Sequence, residues 1–143
     1  MGLDAVVYKR WEGVAEKQKR SVRLVDQATG EIEYIDDRLE SSDQKDGLFV
    51  ASVCFGNISH IAELRACLQI LMSSENSIIL NKFVYDGSHS GDIIRSGDFP
   101  AIEVETAFLR QQRQIFPELA HFLNQLTELI EVATRELNPI VFI

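Results

Sequence analysis

The residues best able to do chemistry gather in one short stretch, Tyr85-Asp-Gly-Ser-His-Ser-Gly-Asp92. Two glycines free its backbone to approach a ligand, and Asp86, His89 and Asp92 can hydrogen-bond or take up protons from a single loop that Tyr85 opens. Serine, histidine and aspartate side by side have the composition of a hydrolase centre, through Ser88 or Ser90, His89 and Asp92. Adjacent residues rarely aim at one another as nucleophile, base and orienter, and no oxyanion hole is identifiable, so no catalytic residue is assigned. Two readings stay open: a loop that binds a ligand or partner, and a tight loop whose aspartates hydrogen-bond nearby amides. On the first, His89 and Asp92 serve binding rather than folding.

Asn57 and His60, at the opening of an amphipathic stretch, are the second candidate. A helix N-terminus can receive an anion, although a cap alone explains these residues. Glu118-x-x-His121 and His60-x-x-Glu63 each set two potential ligands on one helical face, but a di-iron bundle needs two such pairs and further glutamates. We read both as exposed polar faces and expect no metal. There is no G-x-x-x-x-G-K-S/T, G-x-G-x-x-G, H-E-x-x-H, C-x-x-C or G-x-S-x-G, so no cofactor is expected and several common enzyme classes fall away.

The elements that position these residues follow from periodicity. Leu3–Tyr8 is apolar on both parities, as a strand covered on both faces should be, and belongs centrally in a sheet. Arg20–Val25 and Glu31–Ile35 alternate around Asp26-Gln-Ala-Thr-Gly30 and predict a hairpin over 20–35. Ser41–Gly47 reads as loop, and Leu48–Phe55 as a strand that Gly56 ends. Ile58, Ile61, Leu64, Leu68 and Leu71 form a helical stripe running to about Ser73, with Asn57 or Ser59 as its cap. Leu119, Phe122, Leu126, Leu129, Ala133 and Leu137 form a longer one, opened by Pro117, supported by a Glu131–Arg135 pair and stopped by Asn138-Pro139. Residues 100–113 alternate like a strand yet open like a helix at Asp98 and Pro100, and we favour the helix. Ile78–Tyr85 and Ile140–Ile143 read as further strands, the last of them buried. The expectation is α+β: one domain over 1–143, a mostly antiparallel sheet of about five or six strands with two or three helices packed on it.

The 143 residues are 45% apolar and 25% charged, an ordinary globular balance that excludes disorder and collagen-like architectures. The formal charge of −8 disfavours nucleic acid and anionic membranes as partners. No apolar run approaches the length of a membrane span. The Met-Gly-Leu-Asp start shows no basic segment, signal core or cleavage site, and Val6 stands where an N-myristoylation signal wants Ser or Thr, so a cytoplasmic protein is expected. Cys54 and Cys67 are then expected as reduced, buried thiols. Charge is uneven: residues 9–23 carry six bases and two acids, residues 26–46 eight acids and two bases. These segments either face each other across the hairpin or present an acidic docking surface to a basic protein.

Four stretches, Met1-Gly-Leu-Asp-Ala-Val-Val-Tyr8, Phe55-Gly-Asn-Ile-Ser-His-Ile-Ala62, the 85–92 loop and Asn138-Pro-Ile-Val-Phe142, together resemble an uncharacterised family of small bacterial cytoplasmic proteins. The resemblance implies a bacterial source and a shared single-domain fold, and no mechanism. That family more often has Tyr-Ser-Gly before the histidine; Asp86 here replaces the serine, so no required hydroxyl is implied there.

Small size, acidity and missing catalytic motifs favour a non-enzymatic binding module, most concretely an immunity-type protein that occludes a basic toxin. The alternative is a small-molecule or anion-binding protein, or a small enzyme, built from the 85–92 loop and the helix start at 57–60. The long C-terminal helix and final strand carry enough apolar surface to make a homodimer a third expectation, against burial within one chain.

Overall fold

The computed structural model describes residues 2–26, 31–34, 48–73, 75–85, 92–112 and 117–143. Strand β1 (Gly2–Tyr8) lies inside an antiparallel sheet with β4 (Phe49–Asn57), β6 (Ile140–Phe142) and β5 (Ile93–Ile94), in the order β4-β1-β6-β5. β1 pairs with β4 along its whole length and with β6 over Ala5–Val7. Its two parities serve two cores. Leu3, Ala5 and Val7 face the larger one, with helices α1 (Ile58–Leu71), α2 (Phe99–Arg110) and α3 (Pro117–Glu136). Val6 and Tyr8 face a smaller cluster with Val14, Val22 and Leu48, flanked by Trp11, Leu24 and Phe49. Apolar residues on both parities are thus the mark of a strand sandwiched between two layers. The fold is α+β.

The second sheet is the hairpin of β2 (Val22–Asp26) and β3 (Glu31–Tyr34), whose register sets Val22 against Tyr34 and Leu24 against Ile32. Arg23 stands opposite Glu33, so the basic and acidic segments do meet across the hairpin at this rung. Residues 27–30 of its loop, and the 41–47 loop, lie outside the described residues.

In the larger core, Phe55 lies 5.3 Å from Phe122 and 6.2 Å from Phe83, which meets Phe142 edge-on at 5.4 Å. These rings join β4, α3, the 79–83 segment and β6 in the tilted geometries their quadrupoles favour. The α3 stripe Leu119, Phe122, Leu126, Leu129 and Ala133 is buried within the chain, as are Ile140 and Phe142. That surface is therefore not available for a dimer. Leu137 and Ile143 remain 48% exposed.

Several expectations change. Ile78–Tyr85 is no strand; Ile79–Phe83 forms a π-helical turn. Its free amides and carbonyls are satisfied from afar: Glu105 accepts from Ile78 and Ile79, Ser77 Oγ accepts from Leu80, and Arg65 donates to the Leu80 and Val84 carbonyls. With its ends capped by side chains, the apolar run can bury Ile79, Leu80, Phe83 and Val84 as a turn. β4 continues through Gly56 to Asn57. Cys54 is exposed and Cys67 half-buried, because Cys54 alternates with inward-facing Val53 and Phe55 on the outer strand of the sheet. α1 stops at Leu71, and Arg135 lies 3.7 Å from Glu136 rather than pairing with Glu131. The 100–113 segment is helical over Phe99–Arg110 with Pro100 in its first turn, while Asp98 forms an ion pair with Lys82 instead of a cap.

Candidate functional site

The loop that sequence singles out is closed at its base. The Tyr85 hydroxyl donates to Asp92 Oδ2, and the Asp92 carbonyl accepts from the Phe142 amide at 2.9 Å. Upstream, Tyr85 follows the capped π-helical turn; downstream, β5 pairs Ile93 with Val141 and Ile94 with Ile140. Both ends of the loop are therefore anchored to the larger core. Asp86 and His89, with Ser88 and Ser90, lie outside the described residues.

The electrostatics of the base follow from the same bond. Donating to the Asp92 carboxylate, aided by desolvation and by the carboxylate's charge, pushes the Tyr85 hydroxyl up to about 12. Tyr85 thus keeps its proton at neutral pH, and one Asp92 oxygen is engaged in holding it. Sequence placed both residues among ligand contacts; the fold first joins them to each other.

At the second candidate, Asn57 Oδ1 accepts the His60 amide at 2.9 Å, an N-cap of α1. The His60 ring lies over Gly56, where a Cβ would come within 2.5 Å of its Cδ2. Gly56 has φ +137°, which lets the chain leave β4 and turn into α1 beneath that ring. Asn57 pairs with Gly2, and Asp92 reaches Phe142, which pairs with Ala5, so both candidates lie toward the same end of the sheet. They are separated by β1 and β6. Three strand spacings amount to about 14 Å, too wide for hydrogen bonds from both strand positions to one small ligand.

Sequence reasoning missed a cleft of about 580 Å³ lined by Lys9, Arg10, Glu12, Gly13, Val50 and Glu136. Val50 is the unpaired residue of an irregularity in the β1–β4 ladder, which no local pattern announces. Two bases and two acids leave the lining without net charge, and it holds no nucleophile beside a base. Elsewhere, the Cys54 thiol is pushed up by its hydrogen bond with Asp4, the reverse of what a reactive thiolate needs. Glu118 and His121 are exposed on the outer face of α3, and among the described residues no three His, Cys, Asp or Glu side chains gather to hold a metal. No described helix is long and apolar enough to cross a membrane. No known protein family, curated protein or solved structure matches this chain.

Proposed function

We propose that this chain is a non-enzymatic binding module of the immunity type, presenting the 85–92 loop to a basic protein. The observation that carries the reading is the Tyr85–Asp92 hydrogen bond. It fastens the loop at both ends, as a rigid scaffold does when it presents a binding loop. It also commits the two described side chains of that loop: a hydroxyl held protonated to about 12 is a poor base at pH 7, and the carboxylate oxygen facing it is engaged. The enzyme alternative loses support for the same reason. The net charge of −8 and the eight acids of residues 26–46 favour a cationic partner.

The test is affinity capture from a bacterial source with wild type and His89→Ala in parallel, followed by titration of the purified partner. A basic protein held by wild type, released by salt and bound at least about tenfold more weakly by His89→Ala is the expected result. Identical capture by both chains, or capture that salt does not weaken, overturns the reading.

A further inference from the structure

We infer that the cleft lined by Lys9, Arg10, Glu12, Gly13, Val50 and Glu136 is a binding site for a small zwitterion, a short peptide with both termini free. The inference is independent of the binding function proposed above. Asp92, at the base of the 85–92 loop, reaches the Phe142 amide, whose residue pairs with Ala5, whereas the cleft opens past Tyr8, where β1 ends.

Three stretches of chain meet in this cleft, and hydrogen bonds hold them there. The Lys9 amide donates to the Leu48 carbonyl at 2.8 Å, which ties the end of β1 to the chain entering β4. Buried Asn138 donates through Nδ2 to the Tyr8 carbonyl at 2.8 Å, which brings the end of α3, and Glu136 with it, to the same point. The Gly13 amide donates to the Arg10 carbonyl at 2.8 Å and closes the Trp11–Gly13 turn. The walls are thus set before any ligand arrives, and binding does not have to order them. Gly13 adds room: a Cβ there would meet nothing nearer than Lys9 Cβ at 3.8 Å.

The charged groups of the lining are short of partners of their own. Arg10 Nε is buried and makes no hydrogen bond, with Glu12 Oε2 3.8 Å away. The Glu136 side chain is only 21% exposed, yet its ion pair with Arg135 Nε is 3.7 Å long. Neither distance is a hydrogen bond. Among the described residues, no group pairs with the Lys9 ammonium. A guanidinium, an ammonium and two carboxylates therefore line one cleft with their bonding capacity largely unspent, and polar groups left in that state are the ones a ligand can satisfy.

Sign selects the ligand. A plain anion would meet Glu12 and Glu136, a plain cation would meet Lys9 and Arg10, and an uncharged molecule would displace water from all four without replacing it. A molecule with a carboxylate at one end and an ammonium at the other suits both pairs through charge-assisted hydrogen bonds, the carboxylate with Lys9 and Arg10, the ammonium with Glu12 and Glu136. The volume of about 580 Å³ lies in the range of sites for drug-sized ligands, so a peptide of about two or three residues fits it better than a free amino acid. Val50 supplies an apolar wall for the chain between the two ends.

Isothermal titration calorimetry of the full chain with trialanine at low salt should give a Kd of about 1 mM or tighter. N-acetyl-trialanine and trialanine amide, each lacking one terminal charge, should bind at least about tenfold more weakly, and Glu136→Gln should weaken trialanine binding by a similar factor. Gly13→Leu, which fills the cleft, should abolish it. No heat from trialanine up to about 10 mM, or a capped peptide bound as tightly as trialanine, overturns the inference, and neither outcome depends on whether a variant folds. Binding that Gly13→Leu leaves unchanged overturns it too, by placing the peptide elsewhere.

Discussion

Both oxygens of the Glu105 carboxylate receive the Ile78 amide, at 3.0 and 3.1 Å, from 27 residues further along the chain. One of them also takes the Ile79 amide, so a side chain of α2 does for the 79–83 turn what an N-cap residue does for an ordinary helix. Glu105→Ala leaves these amides without that acceptor. It should cost about 1–2 kcal/mol in urea denaturation, and Glu105→Gln, which keeps a carbonyl oxygen, clearly less. A loss within a few tenths of a kcal/mol for Glu105→Ala would show that water serves those amides equally well.

The same contact marks the limit of what the sequence discloses. β1, the hairpin, α1 and α3 were legible because their evidence is local: apolar residues on both parities, alternation around a Gly-bearing turn, stripes of three and four. Ile78–Tyr85 is equally local in its apolar run, and by that evidence a strand. What makes it a turn is Glu105 and Arg65, which lie far from it in sequence. Cys54 fails for a related reason, since whether a strand is central or at the edge is a property of the whole sheet. At the 85–92 stretch the bond between Tyr85 and Asp92 was not legible, because composition does not say whether two flanking polar groups face a ligand or each other.

Leu137 has φ +55°, in the left-handed region, at the end of α3. The backbone closes there as a Schellman motif requires, with the Asn138 amide bonded to the Ala133 carbonyl at 3.2 Å. A leucine at such a position is strained, and this one is half exposed, so it gains little burial in return. Leu137→Gly should raise stability by about 0.5–1 kcal/mol, seen as a higher Tm in thermal unfolding. A lower Tm would mean that the contacts of the leucine side chain outweigh the strain.

Gly56 combines φ +137° with the His60 ring overhead. Gly56→Ala therefore has two costs, backbone strain that no neighbour can relieve and a clash with His60. Together they should destabilise by about 2–4 kcal/mol. Adding His60→Ala should recover the steric part only. A double-mutant cycle in chemical denaturation checks this: a coupling of about 1 kcal/mol or more is expected, and strict additivity would place the ring away from Gly56 in solution.

Asp92 does more than the sequence reading assigned to it. Its carboxylate accepts from Tyr85 in a partly buried pair, so Asp92→Ala should lose about 1 kcal/mol of stability as well as loosening the loop. The pair also fixes a pH dependence. Tyr85 binds its proton more tightly folded, to about 12, than at its ordinary value of 10.0, so the native state holds a proton that the unfolded chain has released between those values. Stability from this bond is then complete below pH 10 and falls as pH rises toward 12. Ultraviolet titration of phenolate absorbance should show one late-ionising tyrosine that disappears in Tyr85→Phe. In Asp92→Ala the same tyrosine should shift down toward the ordinary range. An unchanged late step in Tyr85→Phe would assign it to Tyr8 or Tyr34 and remove the Tyr85–Asp92 bond as the fastening of the loop.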